Sequence, residues 1–137
     1  MQLRPLVDNP EIFIGYDETN QWLYVDWKGR HDATSAWVTC GLMLEALQAF
    51  PCDKILNDNS NIIYSTMQLT ARSLEWLARM HAAGLRYLAW VLPRQLSSRQ
   101  TTEGVVLEIE APTVCTFDDL ASAFVWLQRQ DAPGPAA

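Results

Sequence analysis

The sequence has few basic residues and no long apolar segment. Ten lysines and arginines stand against 16 aspartates and glutamates in 137 residues, which gives a formal net charge of −6. Nucleic-acid binding needs a concentrated positive surface, and the scattered basic residues do not provide one. No apolar run reaches the roughly 18 residues of a membrane span, and the first residues lack the apolar stretch of a signal peptide. We therefore expect no nucleic-acid partner and no membrane span.

Cysteine and histidine are also scarce. The three cysteines, Cys40, Cys52 and Cys115, form no C-x-x-C pair, so the sequence indicates neither a disulfide framework nor a zinc site. The two histidines, His31 and His81, lie fifty residues apart and show no metal-ligand spacing. This pattern predicts three reduced thiols in a cytoplasmic protein that holds no metal and no other cofactor.

Common catalytic motifs are missing. The sequence contains no G-x-G-x-x-G, no P-loop, no G-x-S-x-G and no H-E-x-x-H. The pair His31-Asp32 could act as a general base, but adjacent side chains rarely converge on one substrate. A helix cap at Asp32 within a solvated turn explains the pair better. We expect a protein that is not an enzyme.

The composition is that of a globular domain, with 49% hydrophobic and 19% charged residues. The length fits one domain. Prolines and weak patterning mark residues 1–10 as a lead-in segment, and Pro133, Gly134 and Pro135 mark residues 131–137 as a flexible tail. The domain itself is predicted over residues 11–130.

Hydrophobic periodicity predicts alternating strands and helices. Strands are predicted at residues 11–17, 21–28, 54–57, 86–92 and 113–117, and helices at about 33–50, 66–83, 96–110 and 118–130. The turn cluster Asp17-Glu18-Thr19-Asn20 joins the first two strands into an antiparallel hairpin. The order β-β-α-β-α-β-α-β-α predicts an α/β fold with a mostly parallel sheet after that hairpin.

Six tryptophans stand out in a chain of this size. Trp37, Trp90 and Trp126 lie on patterned elements and are predicted to belong to the core, because aromatic side chains bury large areas in small domains. Trp22 and Trp27 fall on opposite faces of one predicted strand. This leaves open that one of the two is exposed and contacts a partner.

Several short segments carry a resemblance to a known family. They are Tyr16-Asp17, Leu23-Tyr24-Val25-Asp26-Trp27-Lys28-Gly29, Ile55-Leu56-Asn57-Asp58, Glu75-Trp76-Leu77, Ala83-Gly84-Leu85, Ala89-Trp90-Val91-Leu92-Pro93, Phe117-Asp118, Ala123 and Trp126-Leu127. In this order they resemble the small STAS-like (SpoIIAA-like) proteins of Bacteroidetes, often called STAS/SEC14 domain proteins, over roughly residues 11–128. The resemblance implies the fold of the anti-sigma-factor antagonists, which mostly bind protein partners and some of which carry a phosphorylatable Ser or Thr. SEC14-like relatives bind lipids.

The most function-like segment is residues 58–66. We expect it to be a polar loop after the strand at 54–57, leading into a helix capped near Ser65. Ligands of α/β sheets bind beyond the carboxyl ends of parallel strands, and a helix N-terminus favours negative charge. The predicted partner-binding or ligand-binding residues are Asp58, Asn59, Ser60, Asn61, Ser65 and Thr66.

Two interpretations of this segment stay open. The resemblance makes Ser60 the candidate for phosphorylation, although the glycine that follows the family's serine is missing here. Alternatively, the same polar side chains only form turns and cap the next helix.

The sequence as a whole predicts a non-enzymatic cytoplasmic regulatory or protein-interaction domain. Its partner would be another protein or a second copy of itself in a homodimer. The alternative is a carrier of a small ligand or lipid, which would need an apolar cavity beneath its helices instead of a packed core.

Overall fold

The computed structural model describes residues 2–66 and 70–130, without the side chains of residues 96–98, 101 and 105. Within this part of the chain, six strands and four helices follow one another. They are β1 (Leu3–Asp8), β2 (Ile12–Asp17), β3 (Trp22–His31), α1 (Ala33–Ala49), β4 (Lys54–Ser65), α2 (Ala71–Ala82), β5 (Tyr87–Val91), α3 (Leu96–Val106), β6 (Thr113–Phe117) and α4 (Leu120–Arg129).

The strands form a single sheet in the order β1-β2-β3-β4-β5-β6. The first three strands are antiparallel, and β3 to β6 are parallel. The predicted α/β fold, with an N-terminal hairpin and a mostly parallel sheet, is therefore confirmed. Each parallel crossover carries a helix, as this connection requires.

Strand β1 lies in the segment that the sequence indicates as a lead-in of residues 1–10. It pairs with β2 at the edge of the sheet, with a bulge between Pro5 and Val7. None of its side chains is fully buried. An edge strand of this kind has no strict apolar alternation and tolerates proline, so its sequence gives little sign of a strand. The predicted tail at 131–137 lies outside the described residues.

The hairpin turn is built around the Asp17 carboxylate, as the turn cluster predicts. Asp17 accepts hydrogen bonds from the backbone N–H groups of Thr19 and Asn20 at 3.0 and 3.1 Å and from the Asn20 side-chain amide at 2.8 Å. The carboxylate itself is buried. A buried charge is stable only when hydrogen bonds replace its water, and this turn supplies three of them.

The helices cover the two faces of the sheet unequally. Helices α1 and α2 and the end of α3 pack on one face over the larger core, whose centre includes Ile14, Val25, Met43, Leu47 and Leu88. Helix α4 alone packs on the other face, over a smaller core with Trp22, Leu56 and Leu127.

Helix boundaries follow their caps. Helix α1 begins after Asp32, which forms a capping box with Ser35, as predicted for Asp32. Helix α2 begins at Ala71 behind the cap Thr70, later than the predicted start near Thr66. Its end is marked by Gly84 with a φ of 115°, a backbone conformation that favours glycine.

The tryptophans separate into buried and half-buried groups. Trp22 and Trp27 are both buried. The possibility that one of them is exposed on the hairpin is therefore excluded. Trp90 is buried as predicted, whereas Trp37 and Trp126 are only half-buried.

We expect Trp22→Ala to lower the free energy of unfolding by about 3–5 kcal/mol, as in other large-to-small core changes. Trp22 is fully buried and its ring meets Phe124 edge to face at 5.1 Å. Trp126 is half-buried beside Phe117 and Tyr87, so Trp126→Ala should cost only about 1–2 kcal/mol. Urea unfolding of both variants checks this difference. Equal shifts of the two midpoints would contradict the burial assigned to these side chains.

Candidate functional site

The predicted loop at residues 58–66 is for the most part strand. Strand β4 continues to Ser65 and pairs with β3 as far as His31, whereas it pairs with β5 only as far as Asp58. Two register shifts each place one extra residue on β4, between Asp58 and Asn61 and between Ile62 and Tyr64. Residues 59–65 therefore extend beyond β5 on the support of β3. The expectation of a loop was wrong because asparagine and serine, common in turns, here hydrogen-bond within the sheet.

Asn57 joins β3 to β4 on the side of the larger core. Its side-chain oxygen accepts a 2.9 Å hydrogen bond from the Trp27 indole N–H, and both side chains are buried. Its amide group lies 3.4 Å from the side-chain oxygen of Asn59. Asn59 thus orients a buried amide, which is a structural role.

The opposite side of the same strand pair holds two aspartates at matching register positions, Asp26 and Asp58. Asp58 is 2% exposed and accepts hydrogen bonds from the Ser60 backbone N–H at 2.9 Å and from the Ser60 hydroxyl at 2.6 Å. The Tyr24 hydroxyl makes a longer contact of 3.5 Å with the other carboxylate oxygen. Asp26 accepts a 2.9 Å hydrogen bond from the Asn61 amide.

Burial dominates the electrostatics of this cluster. It raises the pKa of Asp26, and the nearby Asp58 charge raises it further, while the hydrogen bond from Asn61 opposes the shift. The pKa of Tyr24 is raised by burial first and then by the two carboxylates. The desolvation of the two carboxylates and the repulsion between them are therefore unfavourable, and the hydrogen bonds of the cluster offset this cost.

The six residues predicted for the site have different roles in the structure. Asp58, Ser60 and Asn61 meet around the carboxylate cluster, and Asn59 faces Asn57. The Ser65 backbone N–H donates to the Gln95 side chain at 3.3 Å, and the Thr66 backbone N–H donates to the His31 carbonyl at 3.0 Å. Neither Ser65 nor Thr66 caps α2. Asp58 is too buried to touch a partner directly.

His31 is part of the interior, so the expected solvated turn is wrong for it. It is 3% exposed, and its Nε2 lies 3.1 Å from the Glu11 carbonyl and 3.0 Å from the Lys28 carbonyl. Both groups are acceptors, so we assign the proton to Nε2. Its Nδ1 lies 3.4 Å from the Ser35 hydroxyl of the capping box. The ring joins the end of β3 to the start of α1.

An open groove of about 500 Å³ lies between the first turns of α1 and α2. We call it the α1–α2 groove; its lining residues are Ala33, Thr34, Trp37, Val38 and Arg72. Both helices start after parallel strands, so the groove lies beyond the carboxyl ends of those strands.

The walls of the α1–α2 groove are held in place by two contacts. The Trp76 indole N–H of α2 donates a 3.0 Å hydrogen bond to the Cys40 carbonyl of α1. The Arg72 guanidinium lies over the Trp37 ring, 4.2 Å from its centroid. Val38 is 60% exposed beside the groove.

Sequence reasoning assigned Trp37 to the core and did not find this groove. The buried positions of α1 are Ala36, Thr39, Cys40, Met43, Ala46 and Leu47. Trp37 lies beside this stripe, and Val38 lies further from it. The sequence did contain a sign of the exposed position of Val38. At helical spacing, a buried stripe through Ala36 and Cys40 leaves Val38 on the outer surface of α1.

A second arginine lies over an aromatic ring at the end of β3 and β4. Arg30 lies 5.0 Å from the centroid of the Tyr64 ring, and Tyr64 and Ile63 are 43% and 74% exposed. The ion pairs among the described residues are Lys28 with Asp8 and Arg99 with Asp118. Within that part of the chain, neither Arg30 nor Arg72 has a carboxylate within ion-pairing distance.

Neither a metal-ligand cluster nor a helix able to span a membrane is found among the described residues. No set of three or more His, Cys, Asp or Glu side chains is placed to hold a metal ion. No helix in residues 2–66 and 70–130 combines the length and apolarity needed to cross a membrane.

The chain is similar in structure to an uncharacterized DUF3478-family protein with a SpoIIAA-like fold from Shewanella loihica PV-4. The two share 16% sequence identity with a TM-score of 0.58, over 89% of this chain and 98% of the other. The protein thus has a SpoIIAA-like fold, which confirms the fold predicted from the resemblance. No protein-family model matches the chain, and no curated protein sequence does.

We expect Ser60→Asp to destabilise the protein by about 2–3 kcal/mol, because it places a third carboxylate against Asp58 and Asp26. Ser60→Ala removes one hydrogen bond and should cost only about 1 kcal/mol. Urea unfolding of the two variants measures the difference. Equal stability of both would show that the carboxylate cluster tolerates added charge.

The raised pKa of Asp26 has a consequence for stability. At pH values between the unfolded and the folded pKa of Asp26, the native state binds more protons than the unfolded state. The stabilisation that protonated Asp26 contributes is therefore complete below the unfolded pKa of about 3.9, and it is lost as the pH rises through the folded pKa. Asp26→Asn removes the titration and keeps an acceptor for Asn61. We therefore expect the variant to gain stability relative to wild type between about pH 4 and about pH 7. Urea midpoints at both pH values test this, and a constant difference would argue against it.

Proposed function

We propose that this protein is a non-enzymatic cytoplasmic regulatory domain that binds another protein through the α1–α2 groove. The observation that carries the proposal is the open groove lined by Trp37 and by Val38, which is 60% exposed. The centres of protein–protein interfaces are enriched in aromatic side chains and arginine, and Trp37 and Arg72 supply both.

The shape of the groove supports a protein partner over an enclosed ligand. Small-molecule sites usually bury most of the ligand surface in a cleft or cavity. The α1–α2 groove is open to solvent, and its apolar side chains, Ala33, Trp37 and Val38, lie on the first turns of α1. A segment of another protein can cover such a surface without having to enter the core.

The regulatory part of the proposal comes from the family resemblance. The anti-sigma-factor antagonists that this sequence resembles mostly act by binding protein partners, and the chain shares their fold. Phosphorylation of Ser60 stays a prediction. Its hydroxyl is hydrogen-bonded to Asp58, so we expect any added phosphate to act by disturbing β4 rather than by contacting a partner.

Two observations support the non-enzymatic and cytoplasmic parts. The Nε2 of His31 binds the backbone carbonyls of Glu11 and Lys28 and so holds the end of β3 to the start of β2. The three cysteines form no disulfide. Burial raises the pKa of Cys40 to about 12 and that of Cys52 to about 11, which keeps both thiols protonated and unreactive. Free buried thiols of this kind fit a reducing compartment.

The test compares two exposed valines on different helices. Val38 belongs to the α1–α2 groove, whereas Val125 is 43% exposed on α4, on the other face of the sheet. We expect Val38→Asp to reduce capture of the partner from native lysate at least about tenfold, and Val125→Asp to leave it unchanged. Circular dichroism of both variants controls for folding.

The opposite ranking of these variants, or equal capture by both, would place the partner surface elsewhere. Sedimentation equilibrium of the purified protein shows whether the partner is a second copy. In that case Val38→Asp should convert dimer to monomer, and Val125→Asp should not.

A further inference from the structure

The chemistry of the α1–α2 groove is set by one cation. The guanidinium carbon of Arg72 lies over the Trp37 ring, 4.2 Å from the ring centroid. The guanidinium carries five N–H donors, and none of the described residues accepts a hydrogen bond from them. The backbone of Arg72 is fixed too, because its N–H donates to the Thr70 hydroxyl at 3.3 Å. The arginine is thus held in a defined position with its donors available.

No carboxylate of the described residues neutralises this arginine. The ion pairs there involve Lys28 and Arg99. Glu75, three residues further along α2, is at a spacing that allows an ion pair but does not form one. The sequence contains 16 acidic and 10 basic residues, so carboxylates are in excess. Arg30 also lacks a carboxylate partner, but Arg72 lies in a groove beside Trp37 and Val38, and there it is complementary to an acid from outside.

The surroundings of Arg72 favour a carboxylate over a phosphate dianion. The N-terminus of α1, which forms the other wall, is already capped by the Asp32 carboxylate, which accepts the Ser35 N–H at 2.8 Å. That hydrogen bond lowers the pKa of Asp32, so the cap carries its negative charge at neutral pH. A second, doubly charged group would be repelled by it more strongly than a single carboxylate would.

Apart from Thr34, the other side chains that line the groove are apolar. Val38 is 60% exposed, and Ala33 and the half-buried Trp37 line the same surface. A ligand that pairs with Arg72 must therefore also present an apolar group a short distance from its acid. Neighbouring acidic and apolar side chains on a peptide meet both requirements.

We propose that the α1–α2 groove binds an acidic peptide segment of the partner protein, in which an Asp or Glu carboxylate pairs with Arg72 and a neighbouring apolar side chain packs on Trp37 and Val38. This inference rests on the proposed function and adds the chemistry of the partner. The carboxylate forms two parallel hydrogen bonds with the guanidinium plane, a geometry that lysine cannot supply.

The experiment follows the indole N–H signal of Trp37 in the ¹⁵N-labelled full chain. Trp37→Phe identifies this signal among those of the six tryptophans. The probes are two capped peptides, Leu-Glu-Glu-Leu-Glu-Glu-Leu and Leu-Gln-Gln-Leu-Gln-Gln-Leu, and inorganic phosphate. We expect the glutamate peptide to shift the signal in a saturable way and the glutamine peptide to bind at least about tenfold more weakly. Added salt should weaken the binding of the glutamate peptide, because the charged contact is exposed to solvent.

A matched pair of arginine variants assigns the effect. Arg72→Gln should abolish the preference for glutamate over glutamine, while Arg79→Gln, an exposed arginine two turns further along α2, should keep it. Arg72→Lys should restore only part of the preference, because lysine cannot form the bidentate pair.

Three results would overturn the inference. They are equal binding of both peptides, the absence of any shift by the glutamate peptide, and a shift by phosphate as large as that by the glutamate peptide. Each of these leaves the proposed function standing as long as capture still depends on Val38. Capture that is independent of Val38 contradicts the proposed function itself, so the two failures are distinguishable.

Discussion

The full-length parallel pairing of β3 with β4 is the constraint on which the rest of the structure depends. These are the two longest strands, with ten and twelve residues. The pair is held on one side by the hydrogen bond from Trp27 to Asn57 and on the other by the one between Asp26 and Asn61. Because β4 is supported this far, both strands continue beyond the shorter β5. Their carboxyl ends then fix where α1 and α2 begin.

The position of these helix starts creates the α1–α2 groove. Helix α1 follows β3 after one residue, Asp32. At this junction the His31 Nδ1 lies 3.4 Å from the Ser35 hydroxyl of α1, while its Nε2 binds the Glu11 and Lys28 carbonyls. Helix α2 is tied to α1 through the Trp76 indole. Its first turn therefore brings Arg72 over Trp37. Within the described residues, the groove is a consequence of sheet pairing and helix packing.

Charged side chains are placed differently on the two faces of the sheet near the carboxyl ends of β3 and β4. On the α4 side the carboxylates of Asp26 and Asp58 are drawn into the sheet, where hydrogen bonds from Ser60 and Asn61 offset their desolvation and repulsion. On the α1–α2 side, Arg72 stays at the surface with its donors available. Buried charge must be satisfied internally, whereas exposed charge can serve recognition. This difference is why we place the proposed binding surface at Arg72, while Asp58, Ser60 and Asn61 of the polar segment 58–66 hydrogen-bond within the sheet.

The sequence by itself determined the α/β order of elements after β1, the hairpin around Asp17 and the cap at Asp32, because these depend on local hydrogen bonding and on periodicity. The SpoIIAA-like fold was implied by the family resemblance. The sequence did not reveal β1, whose edge position removes the apolar alternation, or the continuation of β4 to Ser65. Asn57 and Asn61 are of a residue type that is common in turns. Their side chains belong to the sheet because the facing strand β3 supplies their hydrogen-bond partners, Trp27 and Asp26. Trp37 and Arg72 are 35 residues apart in sequence, and no local pattern relates them. Tertiary packing decides that these two side chains meet. It brings helices that are distant in sequence together to bury their apolar faces, and this determines which side chains become neighbours on the exposed surface.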